Sequence, residues 1–185
     1  MINTVTLYFA PLLIFLTGFS GSGKSTIATA LQSQLYHSTV LDGDALRKES
    51  LQDLPHGKAG RQKIMEQIIT QCIDMFHLKG YAYVITTFVA PEAELRSFIK
   101  EEIEKNKIQF IEVYIKTPID VCERRDPKGL YKLLREGKEI HLAGITEPYE
   151  EPKYPDAICE TIANSLDENI KKILTIVNQK TSSLK

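Results

Sequence analysis

A continuous apolar run, Leu12–Thr17, leads directly into the glycine-rich stretch GFSGSGKST at residues 18–26. An uninterrupted apolar run of this length is typical of a strand that is covered on both faces. The residues from Ser25 to Leu35 then follow a helical pattern, so the order is strand, glycine loop and helix. A buried strand followed directly by a helix is expected to lie in a parallel sheet. The rest of the chain must then supply further strands for that sheet and helices that cover its faces.

The remaining sequence alternates short apolar segments with amphipathic ones. We predict strands at residues 12–17, 39–42, 81–88, 108–115 and 157–161. We predict helices at residues 25–35, 61–79, 92–105, 118–125 and 165–179. The pattern indicates an α/β fold with a parallel sheet of about five strands and helices on both faces. A chain of 185 residues suits one domain, with residues 1–11 as an N-terminal extension.

The glycine-rich stretch matches the Walker A pattern in full, because Gly18 is followed after four residues by Gly23, Lys24 and Ser25. Backbone N–H groups of such a loop surround the β-phosphate, and the following helix adds its positive end. Lys24 is then expected to reach the β- and γ-oxygens of ATP, and Ser25 to ligate Mg²⁺. The predicted ATP-binding residues of the loop are Gly18, Phe19, Ser20, Gly21, Ser22, Gly23, Lys24, Ser25 and Thr26.

A second candidate site is the sequence Asp42-Gly43-Asp44, at the end of the next predicted strand. Two carboxylates two residues apart lie on the same side of an extended chain. Asp42 is the candidate metal residue, and Asp44, with Lys24, is a candidate catalytic residue that faces an acceptor hydroxyl as base or orienter. The alternative is an Asx turn with a helix N-cap at Asp44. The position at a strand end after a Walker loop favours the chemical role.

Several cations follow these motifs. Arg47 and Arg61 are candidates for holding an anionic substrate by a forked contact, and each is equally compatible with a solvated surface arginine. The basic stretch from Arg124 to Lys132 is a candidate lid, because phosphoryl transfer requires cations over the transferred group and exclusion of water. The alternative for that stretch is two helices joined by a break, with exposed charges.

The charge balance argues against a nucleic-acid partner. The chain has 23 basic and 24 acidic residues and a formal net charge of −1, whereas nucleic-acid-binding chains usually show a basic excess or stripe. The apolar run at residues 5–16 has no basic residue before it and is too short to span a bilayer. We therefore expect no membrane partner and a cytoplasmic location.

The cysteines and histidines form no metal-binding or disulfide pattern. Cys72, Cys122 and Cys159 are far apart and odd in number, so we expect buried thiols. The four histidines are His37, His56, His77 and His141, and they lack ligand spacing. We expect structural or surface roles for all of them except His56.

Taken together, the segments GFSGSGKST, LDGD with Arg47, RDPKGLYK and AGITEPYEEP resemble the adenylylsulfate (APS) kinases. These P-loop kinases transfer the γ-phosphate of ATP to the 3′-hydroxyl of adenosine 5′-phosphosulfate. The resemblance covers roughly residues 12–161. It implies a lid at about residues 125–155, with Arg125 on ATP and Lys128 on the substrate. It also implies that Asp44, Arg47 and Arg61 face the substrate nucleotide, and it makes a homodimer the candidate assembly.

The departures from the family pattern lie on the acceptor side. His56 and Leu142 stand where phenylalanines usually enclose the substrate adenine, and Ile140 and Ile64 replace a lysine and an asparagine. The segment after the third strand reads VAPEA, at residues 89–93, instead of ISPYR. Two acceptors stay open, namely APS, which the lid signature favours, and another nucleotide conjugate such as cytidine diphosphoramidate. A non-catalytic nucleotide-binding module is a third hypothesis, disfavoured by the retained Asp42, Asp44 and lid cations.

Overall fold

The computed structural model describes residues 10–43 and 58–182, and of residues 58, 59 and 61 only the backbone. The described strands are β1 Leu12–Thr17, β2 Ser38–Asp42, β3 Tyr83–Thr87, β4 Gln109–Lys116 and β5 Ala157–Glu160. The described helices are α1 Lys24–Gln32, α2 Lys58–His77, α3 Ala93–Lys105, α4 Ile119–Arg125, α5 Leu130–Arg135 and α6 Leu166–Ser182. Strands and helices alternate as the sequence predicts, except that α4 and α5 follow one another between β4 and β5.

The five strands form one sheet in the order β2-β3-β1-β4-β5, and every pairing is parallel. β1 lies at the centre, where Leu16 is paired with Thr87 of β3 on one side and with Val113 of β4 on the other. The loop after β1 therefore leaves the sheet at its middle. At this point the strand order reverses, because the chain runs from β1 to strands on one side of it and later to strands on the other side. Ligands of open parallel sheets bind at such a point, beyond the carboxyl ends of the strands.

Each face of the sheet carries its own core because successive side chains of a strand point to opposite sides. Leu13 and Phe15 of β1 pack with buried residues of α2 and α3. Leu12, Ile14 and Leu16 pack on the other face with buried residues of α1 and α6. The predicted parallel sheet of about five strands, with helices on both faces, is confirmed.

The basic stretch has the arrangement that the sequence analysis gave as its alternative, two helices joined by a break, and Asp126 lies at that break. Asp126 has φ of 26°, which ends α4. Its two carboxylate oxygens accept hydrogen bonds from the backbone N–H groups of Tyr131 (3.2 Å) and Lys132 (2.9 Å). These bonds satisfy two donors at the start of α5, which otherwise have no partner within the helix. The basic stretch is thus a helix, a break and a second short helix.

The predicted buried thiols are confirmed. All three cysteines are free and buried. Burial raises the pKa of Cys72 to about 12 and that of Cys159 to about 11, so both are neutral thiols at physiological pH.

The N-terminal apolar run contributes its last part to the sheet centre, as β1. Residues 5–9 of that run lie outside the described residues. Among the helices of residues 10–43 and 58–182, none is both long enough and apolar enough to cross a membrane.

A buried arginine of α3 ties two loops together at the carboxyl edge of the sheet. The Arg96 side chain is 5% exposed, and its Nε lies 2.9 Å from Oε1 of Glu112 on β4. Its two Nη atoms donate to the carbonyls of Ala90 (2.8 Å) and Glu150 (2.7 Å). Burial raises the pKa of Glu112, and the Arg96 guanidinium opposes that shift. The segments after β3 and before β5 are thereby fixed to the same side chain.

We expect Arg96→Met to destabilise the fold, because it leaves Glu112 and the carbonyls of Ala90, Pro91 and Glu150 without their cationic partner. Breaking a buried ion pair costs about 3–5 kcal/mol, and partial exposure of Glu112 favours the lower end. Urea unfolding followed by circular dichroism measures the change. Lys105→Met is the control, since it removes the exposed partner of Glu102 on the same helix. Equal unfolding midpoints for the two variants would contradict the assigned role of Arg96.

Candidate active site

The glycine-rich loop is pressed against two neighbouring backbone segments. A Cβ atom at Gly18 would lie 2.5 Å from the carbonyl oxygen of Ile115, at the end of β4. A Cβ atom at Gly21, where φ is +76°, would lie 2.8 Å from the carbonyl oxygen of Cys122 in α4. These separations are too short for any side chain, so the loop packs this closely only because both positions are glycine.

Lys24 is the first residue of α1, and its side chain turns back over the loop. Its Nζ donates to the carbonyls of Gly18 and Phe19, both at 2.8 Å. The ammonium group and the N-terminus of a helix therefore meet at one place. Both are electrostatically suited to phosphate.

Ser25 and Asp42, the two predicted metal residues, are brought together by the fold. The Ser25 hydroxyl donates to Oδ2 of Asp42 at 3.3 Å. The same oxygen accepts a hydrogen bond from the Thr87 hydroxyl at 2.9 Å. Thr87 was missed by the sequence analysis, and the only signal for it is the parallel register, which pairs Asp42 with Thr87 across β2 and β3.

Two cavities flank the loop. The larger, of about 610 Å³, lies beside the start of α1 and is lined by loop residues together with Arg125, Thr161 and Asn169. The smaller, of about 150 Å³, lies on the side of β3 and α2. Its apolar lining comprises Ile64, Met65, Phe88, Val89, Ala90, Pro91, Leu130, Leu142 and Ala143.

The two cavities meet at three side chains, because Lys24, Thr87 and Lys128 line both of them. A donor in one cavity and an acceptor in the other would present their reacting groups to the same two cations. Such an arrangement suits transfer of a phosphoryl group, whose charge is stabilised by fixed cations at the point of transfer.

Arg125, a predicted ATP-binding residue, lies over the loop. Its Nη1 is 3.4 Å from the carbonyl oxygens of Gly21 and Ser22 and 3.2 Å from the Thr161 hydroxyl. Thr161 in turn lies 2.6 Å from the hydroxyl of Thr117. The larger cavity therefore has a guanidinium group on its wall, beside the loop.

The other side of the loop is covered by the predicted lid. The buried Tyr131 of α5 donates its hydroxyl to the Ser20 carbonyl at 2.9 Å. Tyr149 lies with its ring centroid 4.8 Å from that of Phe19, and its hydroxyl is 3.0 Å from that of Thr17. Burial raises the pKa of Tyr149 to about 12, so it stays a neutral phenol. The lid thus rests on the loop through defined contacts.

Some of the remaining predicted site residues lie within the described part of the chain, and others lie outside it. Ile64 and Leu142 line the smaller cavity, and Lys128 lines both cavities. Asp44, Arg47 and His56 lie outside the described residues, and for Arg61 only the backbone, in α2, is described. His141, for which a structural or surface role is expected, is exposed and lies beside Glu147 at the rim of the smaller cavity.

A Walker loop that follows the central strand of a parallel sheet and leads into a helix defines the class of P-loop nucleotide-binding proteins. The adenylylsulphate kinase family profile matches residues 10–160. The chain therefore belongs to that family, as the sequence resemblance predicts.

Individual relatives agree with this assignment. The adenylyl-sulfate kinase of Bacillus licheniformis is 39% identical over 91% of this chain and 86% of its own length. A probable adenylyl-sulfate kinase of Bacillus subtilis is 38% identical over 92% of this chain and 86% of its own length. The APS kinase CysC of Mycobacterium tuberculosis, solved in complex with AMPPNP and APS, superposes with a TM-score of 0.80 at 32% identity. That match covers 91% of this chain and 98% of the other.

We expect Gly144→Ala to disturb the phosphate loop, because the new Cβ would lie 2.4 Å from the Phe19 ring. Gly137→Ala is the matched control, since Gly137 also has a positive φ, of +79°, but no heavy atom within 4 Å of its Cβ position. Overpacking costs about 1–3 kcal/mol, which should appear as extra destabilisation of Gly144→Ala over the control. Urea unfolding and ATP titration calorimetry measure both effects. Identical stability and ATP affinity in the two variants would disprove the contact.

Proposed function

We propose that this chain is an ATP-dependent adenylylsulfate kinase, which transfers the γ-phosphate to the 3′-hydroxyl of APS and forms 3′-phosphoadenosine 5′-phosphosulfate. The observation that carries the proposal is the meeting of two cavities at Lys24, Thr87 and Lys128. Membership of the adenylylsulphate kinase family supports APS as the acceptor.

The larger cavity is the proposed ATP site. The loop from Gly18 to Gly23 would direct its N–H groups at the phosphates, as Walker loops do. Lys24 would exchange its two carbonyl contacts for phosphate oxygens, and Arg125 would add a second cation at the same cavity. Two cations at the donor phosphates would stabilise the charge that develops during transfer.

Ser25 and Asp42 fit a magnesium ion as the cofactor. A hydroxyl and a carboxylate 3.3 Å apart offer hard oxygen ligands, and Mg²⁺ at nucleotide sites is usually held by one or two such groups with phosphate oxygens and waters. Within residues 10–43 and 58–182, no cluster of three or more His, Cys, Asp or Glu side chains offers a fuller metal cage. When bound there, Mg²⁺ would neutralise charge on the β- and γ-oxygens.

The smaller cavity is the proposed acceptor site, and Asp44 is its proposed catalytic carboxylate. Gly43, which precedes Asp44 in the sequence, lines this cavity. Asp44 would accept or orient the proton of the 3′-hydroxyl, which must point towards the part shared with the donor cavity. Lys128 at that junction, with Arg47 and Arg61 as further proposed contacts, would hold the anionic groups of the acceptor.

A coupled assay of ADP formation tests the proposal against its alternatives. The panel contains APS, cytidine diphosphoramidate and no acceptor, and ATP binding is measured separately by calorimetry. ADP formation that depends on micromolar APS supports the proposal. Turnover with the cytidine conjugate alone would overturn APS as the acceptor, and tight ATP binding without any turnover would favour a non-catalytic module.

We expect Asp44→Asn to abolish transfer while leaving ATP affinity nearly intact, because the carboxylate acts only on the acceptor hydroxyl. General acid–base groups contribute about 10²- to 10⁴-fold in rate, so kcat should fall by that amount. Lys24→Ala should instead lower activity on every acceptor and weaken ATP binding.

Steady-state kinetics and calorimetry separate the two variants. Asp74→Asn is the control for the first, since Asp74 is an exposed residue of α2. A near-normal kcat in Asp44→Asn would remove that residue from the mechanism. Unchanged turnover in Lys24→Ala would remove the phosphate loop from it.

A further inference from the structure

A hydroxyl at the carboxyl edge of the sheet holds the proposed metal carboxylate from a neighbouring strand. Thr87 is the last residue of β3 and is 4% exposed. Its hydroxyl donates to Oδ2 of Asp42 at 2.9 Å. A hydroxyl has one proton to donate, so this bond uses the whole donor capacity of the Thr87 side chain.

Both ends of the bond are carried by regular secondary structure. Asp42 is the last residue of β2, and the parallel register pairs it with Thr87. Threonine is branched at Cβ, which restricts its χ1 angle, and burial of Thr87 restricts it further. Groups on strands hold a partner more precisely than groups on loops. The carboxylate is therefore held by a rigid neighbour.

The simplest structural role for this bond would be to tie β2 to β3. These two strands, however, are already paired through five consecutive residue pairs of the parallel register. One side-chain bond at the last pair adds little to a ladder that the main chain already forms. Thr87 also lines both cavities, together with Lys24 and Lys128. The bond thus lies where the phosphoryl group would be transferred.

Ser25 makes a contact of a different kind with the same carboxylate. Its hydroxyl donates to Oδ2 of Asp42 at 3.3 Å, but Ser25 is itself a proposed metal residue and lies in α1, directly after the phosphate loop. The bond from Thr87 is shorter and comes from the opposite side of the site, on β3. Asp42 has a further interaction besides these two hydrogen bonds. What Thr87 contributes is therefore the direction in which the carboxylate is held, and not an oxygen left open to a ligand.

We propose that Thr87 is a positioning residue for the metal site, an inference that rests on the proposed function. Thr87 holds the Asp42 carboxylate in the direction that lets Asp42 and Ser25 serve one Mg²⁺ ion. Residues that hydrogen-bond a metal-binding carboxylate orient that group and thereby tune the affinity for the metal. Because its one proton goes to Asp42, Thr87 is assigned to positioning and not to donating a bond to substrate.

The experiment titrates Mn²⁺ into the protein with bound AMPPNP, an ATP analogue, and follows free Mn²⁺ by electron paramagnetic resonance. Mn²⁺ prefers the same oxygen ligands as Mg²⁺. Thr87→Val keeps the shape of the side chain but removes the hydroxyl, so we expect the affinity for Mn²⁺ to fall by about 10- to 100-fold. Thr87→Ser keeps the hydroxyl and should retain most of that affinity. The affinity for AMPPNP in EDTA, measured by calorimetry, should be unchanged in both variants.

Thr86→Val is the matched control, because it makes the same change one residue earlier on the same strand. Successive side chains of a strand point to opposite faces, and Oγ1 of Thr86 is buried without a hydrogen-bond partner among the described residues. We expect this variant to keep the Mn²⁺ affinity of the unaltered protein. Urea unfolding shows whether each variant folds. If Thr87→Val does not fold, Thr87→Ala, which also lacks the hydroxyl, replaces it.

The comparison separates positioning of the carboxylate from packing. A loss of Mn²⁺ affinity in Thr87→Val that is no larger than in Thr86→Val would overturn the inference. An equal loss in Thr87→Ser would assign the effect to packing and overturn it as well. A loss of AMPPNP affinity in EDTA as large as the loss of Mn²⁺ affinity would instead indicate a direct contact with the nucleotide, against the proposal.

Failure of the inference and failure of the proposed function give different results. If the unaltered protein with AMPPNP does not bind Mn²⁺, the metal site is wrong and the role of Thr87 falls with it, whereas turnover of APS would still support the proposed acceptor. The Mn²⁺ titration contains no acceptor. Failure of APS in the coupled assay would therefore overturn the acceptor alone and leave the role of Thr87 to be decided by the titration.

Discussion

The close packing of the glycine loop against β4 and α4 is the constraint on which the site depends. Because Gly18 and Gly21 carry no side chains, their backbones lie against the carbonyl groups of Ile115 and Cys122. This contact fixes the loop against the end of β4 on one side and α4 on the other. Lys24, Arg125 and Tyr131 then all reach the same few loop residues from different elements.

The positions of the two cavities on either side of the loop follow from the order of strands in the sheet. β1 lies between β3 and β4, so the loop that follows it has one cavity on the side of β3 and another on the side of α6. Cations lie where the cavities meet, whereas much of the lining of the smaller cavity is apolar. Under the proposed function, phosphoryl transfer and acceptor choice would therefore depend on different residues.

Features set by local pattern were predictable from the sequence, and features set by distant contacts were not. The strand at Leu12–Thr17 and the Walker loop follow from neighbouring residues, and Asp42 follows from its place at a strand end. Thr87 and Arg96 could not be predicted, because their partners lie far away in sequence and meet them only through the sheet. The roles of Asp44, Arg47 and His56 stay predictions, since they lie outside the described residues.

Besides its ion pair with Glu112, Arg96 holds the segments after β3 and before β5 through their main-chain carbonyl groups. Its Nη atoms bind the carbonyls of Ala90, Pro91 and Glu150, and every amino acid supplies a carbonyl. The side chains at residues 89–93 can therefore change without releasing the frame that carries them. This tolerance gives a physical route by which VAPEA replaces the usual family segment. Substitutions in this segment should therefore cost little in folding free energy, because the contacts of Arg96 to its main chain are retained.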